Sequence, residues 1–540
     1  MGLLPYLTQA QSLLLQDINV VDVETGELLS RQDVWLDGER IAAMAATGSE
    51  NRLAADTLRL SGYYLTPGLV DGHIHHFQSG GLYTRPDVID LREYHPYEKE
   101  LSWLRSALPS LWRRYLAAGI TSTVDLGGPL SNYVLRAQAD SLALTPLTFV
   151  TGPLLSSYQP AELTTDDPPI LKIDSPEAGR AAVQAQLALK PDYIKIWYIV
   201  QAGESPATFF PIAQAICVEA HAVGLPVAVH ATQLETARKA VEAGADYLVH
   251  SVDDAVVDSS FVQLLLQRGV YYCPTLTVSH SYEEVLYGQP DLHRNDWRLG
   301  QAEVIGSLWT LPELPPEIRP AWVDRLLASP LPEDPEADVM ATNLSRLAQA
   351  GVPIITGTDA GNIGTLHAGS YFEELMAMQG AGLSPAEILR ASTLHPAQML
   401  GDSAGRVQPG YRADLLVLRA NPLDFLAPLQ EPSLVIRQGQ VYRPGELIDR
   451  SDEEVLTLWL SAWKLGDEAA MELLTHPAVT LSKGSGRWVG RRRVTMLMGN
   501  QVVPAGIPQV LQQRRGWLVQ WGEGQMMVEI REGQVFSITR

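Results

Sequence analysis

The chain has 540 residues, 46% hydrophobic and 19% charged, with 43 Gly and 36 Pro; this is a loop-rich globular composition, too long for one ordinary core and unlike a disordered or fibrous chain. A formal charge of -22 argues against nucleic acid and anionic membrane surfaces as partners, since both need a positive footprint. Cys217 and Cys273 are too few and too far apart for a disulfide framework or a Cys-based zinc site.

The N-terminal stretch MGLLPYLTQAQSLLLQDINVVD is apolar but has no basic n-region and no clear small-residue cleavage site. No apolar run reaches the ~18 residues of a membrane span. The chain therefore reads as cytoplasmic, with an export signal removed ahead of residue 1 as the alternative. From Leu13 to Leu60, SLLLQDINVVDV, RQDVWLDGERIAAM and DTLRLSGYYL alternate apolar and polar residues between the turn signals ETGE and LDGE, which predicts a small antiparallel β unit. From Leu65 the texture changes to short apolar runs, each followed by a helical stretch: GLVDGHIH, TSTVDL, LTFVTG, YIKIWYI, PVAVHA, YLVHS, VYYCPTL and PIITGTD. Strands buried on both faces read this way, and eight of them alternating with helices predict an α/β fold, a (β/α)8 TIM barrel over residues 65–401.

Three segments are too long for ordinary connections: Phe77 to Lys99, Leu154 to Ser175, and His280 to Asp338. All follow the carboxyl ends of predicted strands, where barrel enzymes keep their sites, so they are expected to wall the substrate. After Gly405, ADLLVLRA and SLVIRQGQVYR restore the strand texture and are expected to complete a β-sandwich with the N-terminal unit, over residues 1–64 and 402–447. From Ser451, SDEEVLTLWLSAWKLGDEAAMELL is amphipathic at helical spacing, followed by strand-like RWVGRRRVTMLM, GWLVQWG, QMMVEI and GQVFSITR. This predicts a separate α+β domain over residues 451–540, with the basic run GRRRV at a solvated strand edge or an oligomer contact.

His73, His75 and His76 fall within four positions directly after a predicted buried strand. Side chains at i and i+2 of a strand share a face, so His73 and His75 point together and make half a metal site. His76 points the other way and is expected to pack or support. The remaining strand ends carry Lys195, His230, His250 and Asp359, all of ligand type, which a barrel gathers at one rim although they are far apart in sequence.

TPGLVDGHIH, DYIKIW, VAVHA, YLVHS and TGTDAG resemble the amidohydrolase superfamily of metal-dependent hydrolases, and GRVQPGYRADLLVLRANP resembles its segment after the barrel; the likeness covers residues 13–445. HA…GADYLVH and TDAG…AGLSPAEIL are similar to the branch holding imidazolonepropionase-like, Xaa-Pro dipeptidase-like and carboxypeptidase-like enzymes. The resemblance implies that His73 and His75 bind a first metal with Asp359, that Lys195 is carbamylated by carbon dioxide and bridges two metals, and that His230 and His250 bind the second. The C-terminal domain resembles the nuclear-transport-factor-2-like or polyketide-cyclase-like fold in its helix order and closing strand, which implies dimerisation or a pocket.

The chemistry agrees with that implication. Imidazole and carboxylate donors suit zinc, with manganese or cobalt next, better than calcium or magnesium. An ammonium repels a dication, so Lys195 fits only as a neutral amine that has captured carbon dioxide; a salt-bridged core lysine is the alternative. Water between two such ions drops in pKa from ~15.7 to about 7 and supplies hydroxide, with Asp359 placed as general acid-base.

The expected activity is cleavage of an amide C–N bond by a dipeptidase or carboxypeptidase acting on small molecules or short peptides, in a homo-oligomer. Tyr198, His280 and His367 are candidate substrate contacts, and Arg85, Arg92, Arg294 and Arg298 are unranked candidates for binding a carboxylate. His95, His293, His395 and His476 read as ordinary surface or core residues, and His221 as structural. Lactonase, phosphotriesterase and cyclic-amide hydrolysis use the same kind of centre. A mononuclear deaminase is disfavoured because Gln233 stands where its Glu is expected, and Gln cannot shuttle a proton. A scaffold that lost its chemistry is the alternative of another class.

Overall fold

The computed structural model describes residues 12–50, 52–332, 335–483, 486–499, 503–504, 506–513, 516–521 and 524–539; the first eleven residues of the apolar N-terminal stretch lie outside them. β1 (Leu13–Asp22) pairs antiparallel with β2 (Glu27–Asp37), and β2 with β3 (Arg40–Ala46). β4 (Asp56–Arg59) and β5 (Tyr64–Pro67) run parallel to β1.

β6 (Leu69–Ile74), β7 (Ile120–Asp125) and β8 (Leu147–Val150) form a parallel sheet, and every residue of β6 and β7 is buried. β9 (Leu154–Ser156), β10 (Ile170–Lys172), β11 (Ile194–Trp197), β12 (Val227–His230), β13 (Tyr247–Val249) and β14 (Tyr271–Cys273) form a second parallel sheet in the order β10-β9-β11-β12-β13-β14. Their near-continuous apolar runs are what burial on both faces demands. One side of the first sheet meets the second where Asp192 N donates to Val150 O at 3.0 Å.

The eighth apolar run, residues 353–359, is extended but forms isolated bridges to Tyr272 and Ile74 instead of a ladder. Ile355 N donates to Tyr272 O at 2.8 Å on one side, while Gly72 N donates to Thr356 O at 2.8 Å and His75 N to Ala360 O at 2.8 Å on the other. The ladder stops because Thr358 turns its N–H and hydroxyl to Asp71, and Asp359 sits at φ 60. Two glycines permit the close approach. A Cβ on Gly72 would lie 2.4 Å from Ile355 Cγ2 and 2.9 Å from Thr356 O, and one on Gly357 would lie 2.7 Å from His73 N.

β15 (Leu415–Leu418), β16 (Leu434–Arg437) and β17 (Gln440–Tyr442) join the N-terminal strands in one sheet, ordered β17-β16-β15-β5-β1-β2-β3 with β4 on β1. Its faces bury separate apolar clusters, Leu13, Leu15, Ile18 and Ile436 among them on one and Leu14, Trp35 and Ala43 on the other.

The long segments are more structured than their sequence suggests. Leu154 to Ser175 contributes β9 and β10, and His280 to Asp338 folds into short helices, Arg294–Leu299, Ala302–Leu308 and Val323–Leu327 among them. That helical insert shares an apolar cluster with the C-terminal segment, joining Trp297, Ile305, Leu308 and Val323 to Trp459, Trp463 and Val528. Trp297 Nε1 donates to Asp467 Oδ2 at 2.7 Å and Trp309 Nε1 to Ser461 Oγ at 2.9 Å, so the indoles bury without orphaning their N–H groups.

The C-terminal segment opens on the helix Asp452–Leu465, whose end is fixed by a reciprocal cap: Ser451 Oγ accepts from Glu454 N at 3.2 Å, and Glu454 Oε2 from Ser451 N at 2.8 Å. β18 (Thr475–Lys483), β19 (Gly486–Val489), β20 (Gln509–Gln513), β21 (Gly516–Trp521), β22 (Gly524–Arg531) and β23 (Gln534–Thr539) follow, ordered β19-β18-β23-β22-β21-β20. The basic run corrects one expectation: Arg491–Gly499 is a helix and not a strand, because Val494 and Met498, four apart, are its buried face. Among the described residues no helix is long and apolar enough to cross a membrane.

Candidate metal centre

β6 ends at Ile74, which sets His73 in the strand and His75 just beyond it on the same face. Lys195 lies within β11, His230 ends β12, His250 follows β13, and Asp359 ends the bridged eighth segment. These elements bring the six side chains to one place. The rings of His73 and His75 lie 5.2 Å apart, those of His73 and His250 4.8 Å, and those of His230 and His250 4.3 Å. Asp359 Oδ1 is 3.2 Å from Nε2 of both His73 and His75, and Oδ2 is 3.9 Å from His250 Nε2. His73, His75 and Asp359 have ligand atoms within 4.8 Å of one another.

The donors are held in place from behind. His75 Nδ1 bonds Gly127 O at 2.7 Å and His250 Nδ1 bonds Thr275 Oγ1 at 2.8 Å, which aims each Nε2 at the centre. Asp359, His250 and Thr275 all have positive φ, 60, 73 and 45 degrees, a conformation costing about 1–3 kcal/mol each that persists only where the surroundings impose it. Asp71, a carboxylate in the middle of a buried strand, accepts from Thr358 Oγ1 at 2.8 Å and Thr358 N at 3.1 Å, tying β6 to the segment that carries Asp359. Burial pushes the Asp71 carboxyl up to about 7. The sequence reading missed this residue, although a lone acid inside the apolar run GLVDGHIH was a signal.

Electrostatics prepare the set for a cation. Burial, reinforced by Lys195 and neighbouring imidazoles, holds His73, His230 and His250 well below the ordinary histidine range, so each is neutral with a lone pair available. Burial lowers Lys195 to about 7 against the opposing pull of Asp359. Both ring nitrogens of His73, Lys195 Nζ and Asp359 Oδ1 are buried without a hydrogen-bond partner. Native interiors leave few such atoms unpaired, and His73 Nε2, Lys195 Nζ and Asp359 Oδ1 together fit a group that supplies the missing partners. Neutral imidazoles, a carboxylate and an amine that loses its charge near neutral pH suit divalent ions of the zinc kind.

The other candidates separate. His76 is buried, with Nδ1 2.9 Å from Asp125 Oδ2 and Nε2 accepting from Trp112 Nε1 at 3.2 Å. His367 is a correction: Tyr115 OH lies 2.7 Å from its Nδ1 and Gln78 O 2.8 Å from its Nε2, so neither nitrogen is left for a substrate. Tyr198 is likewise committed, its hydroxyl donating to Pro206 O at 2.5 Å and its ring packed on Phe209. His280 is half-exposed and pairs with Glu284 at 3.1 Å, lining a cavity that contains none of the six. Gln233 and Glu235 are exposed at the start of the helix Leu234–Ala243.

Among the arginines, Arg92 pairs with Asp90 and Arg294 with Glu431 at the surface, and Arg298 donates to Gln430 O. Arg85 is gripped by Asp87, Tyr282 and Asn362, and its charge acts on both Asp359 and His230. Trp197, which the sequence reading passed over, sets its ring edge-on to His230 at 6.0 Å. A cavity of about 520 Å³ opens between the Phe77–Lys99 and Leu154–Ser175 segments, lined by His76, Phe77, Leu101, Asn132 and Asp167.

A sequence model described as the amidohydrolase family matches residues 64–442. An ochratoxinase from Aspergillus niger is 32% identical over 102 residues, 18% of this chain and 20% of that protein. An imidazolonepropionase from Cereibacter sphaeroides is 39% identical over 85 residues, 15% of this chain and 21% of that protein. The chain thus aligns with about a fifth of the length of these curated relatives. A solved Xaa-Pro dipeptidase with bound methionine in its active site shares the fold, with a TM-score of 0.60 and 20% identity over 80% of this chain and 100% of that one.

Proposed function

The chain belongs to the amidohydrolase family, and from that premise we propose that it is a hydrolase with a binuclear metal centre that cleaves amide C–N bonds, acting as a dipeptidase or carboxypeptidase on small peptides. His73, His75 and Asp359 would hold one divalent ion and His230 and His250 the other, with zinc the best match to the donors. Lys195 would bridge them as a carbamate: its neutral amine adds to the carbon of carbon dioxide and releases one proton, leaving an anionic oxygen ligand. When bound, such ions acidify water and polarise a carbonyl. Asp359 takes a proton from the water that adds to the amide carbon and gives it to the leaving nitrogen as the C–N bond breaks. Arg85 supplies the positive field that favours a peptide carboxylate near the centre.

The observation that carries this reading is the convergence of six ligand-type side chains, three of them with a buried polar atom there that lacks a partner: His73 Nε2, Lys195 Nζ and Asp359 Oδ1. We also propose that β6, β7, β8, β11, β12, β13 and β14 with the bridged eighth segment are the eight strands of one (β/α)8 barrel spanning 65–401. Residues 1–64 with 402–447 would form the flanking β-sandwich and 451–540 the α+β domain.

Turnover of a dipeptide panel with and without added zinc tests the function. Wild-type protein hydrolyses at least one member only when metal-loaded, and His230→Ala loses that activity. Full activity in a chelator-stripped preparation would reject the proposal.

A further inference from the structure

Away from the six residues, the helical insert and the helix Tyr371–Gly380 meet at a second set of ligand-type groups. His293, Asp296 and Glu373 have ligand atoms within 4.8 Å of one another. Asp296 is 3% exposed; its Oδ2 accepts from His293 N at 2.9 Å, but its Oδ1 is buried with no partner, as is Glu373 Oε2. They line a cavity of about 330 Å³ together with Glu284, Asp291 and His280. His280 is paired with Glu284, and no lysine or arginine is among the described residues lining the cavity. His293 itself is exposed, which leaves a path for an ion to enter.

Burying carboxylates without a counter-charge is costly, so such groups either hold protons or hold a cation. Burial raises the Asp296 carboxyl to about 7 and that of Glu373 to about 9, with Glu284, Asp291 and Asp296 adding repulsion. One imidazole with two carboxylates is a donor set that zinc or manganese favours over calcium or magnesium.

We propose that His293, Asp296 and Glu373 bind a single divalent transition-metal ion that fastens the helical insert to the body of the protein. Its position explains what it would do. Asp296 lies on Arg294–Leu299, whose next residue, Trp297, bonds Asp467 of the C-terminal segment. Glu373 lies one residue before Glu374, whose carboxylate accepts from Leu276 N at 2.9 Å and Thr277 N at 3.1 Å just beyond β14. An ion here therefore closes a chain of contacts from the strand ends through the insert to the helical start of the C-terminal segment.

The test counts metal by mass spectrometry in full-length protein stripped with chelator, reloaded with zinc and desalted. Asp296→Asn and Glu373→Gln are each expected to hold one equivalent fewer than wild type while keeping its turnover. Only the difference between variant and wild type matters, so the result stands whatever the centre at His73 and Asp359 retains. Equal metal content in wild type and both variants would overturn the proposal. As a control on folding, Asp296→Asn is expected to melt no lower than wild type in chelator, because without metal it removes an unpaired buried carboxylate; equal zinc-dependent rises in melting temperature would likewise count against the site.

Discussion

Lys195 places the sharpest demand on a single side chain. Its ammonium has no lone pair, so it serves the proposed centre only when neutral, and burial sets that change at about 7. The amine is neutral above its pKa. Reloading of stripped protein with zinc should therefore accelerate as pH rises from about 6 to about 8 and should need bicarbonate; loading indifferent to both would mean the amine stays unmodified. Thr275→Val removes the hydroxyl that orients His250 and is expected to lower metal affinity or turnover about 10–100-fold, with normal values arguing that the ring is held by packing alone. Asp71→Ala leaves the Thr358 groups without their acceptor and is expected to cost about 1–3 kcal/mol in chemical denaturation. The candidate ligands were legible because strand ends and the His-x-His spacing are local signals. The commitment of His367 to Tyr115 joins residues 252 apart, whose meeting depends on tertiary packing, which no spacing encodes.

Among elements, the eighth segment decides the geometry because it delivers Asp359 between His73 and His75. Its sequence, PIITGTD, reads as a strand, yet Thr358 gives its N–H to Asp71 and Asp359 gives its own to His73 O at 2.7 Å, with Gly357 leaving room for His73 to approach. Gly72→Ala puts a Cβ against Ile355 and the Thr356 carbonyl and is expected to destabilise by about 1–3 kcal/mol while lowering metal content. Wild-type melting and full metal loading would show that the close approach is dispensable. The apolar runs from GLVDGHIH to VYYCPTL were legible as strands because burial on both faces writes itself into composition. The helix at Arg491–Gly499 was not, since three arginines hide a face made only of Val494, Thr495 and Met498.

For the whole molecule, the C-terminal segment does more than follow the rest of the chain. Its Trp459 and Trp463 share one apolar cluster with the insert, and Arg114, buried on the helix Tyr97–Ala117, reaches Glu454 at 3.2 Å. The sequence marked the change of texture at Ser451 but not this shared core, because each half of the interface reads as an ordinary amphipathic helix.

The claim beneath all of these is that one rim gathers two ions among six side chains. Anomalous scattering at the zinc edge from crystals of zinc-loaded protein measures it most directly. Two peaks are expected, one among His73, His75 and Asp359 and one beside His230 and His250, with density extending from Lys195 Nζ between them. A map with no peak among these six residues at saturating zinc would contradict the account.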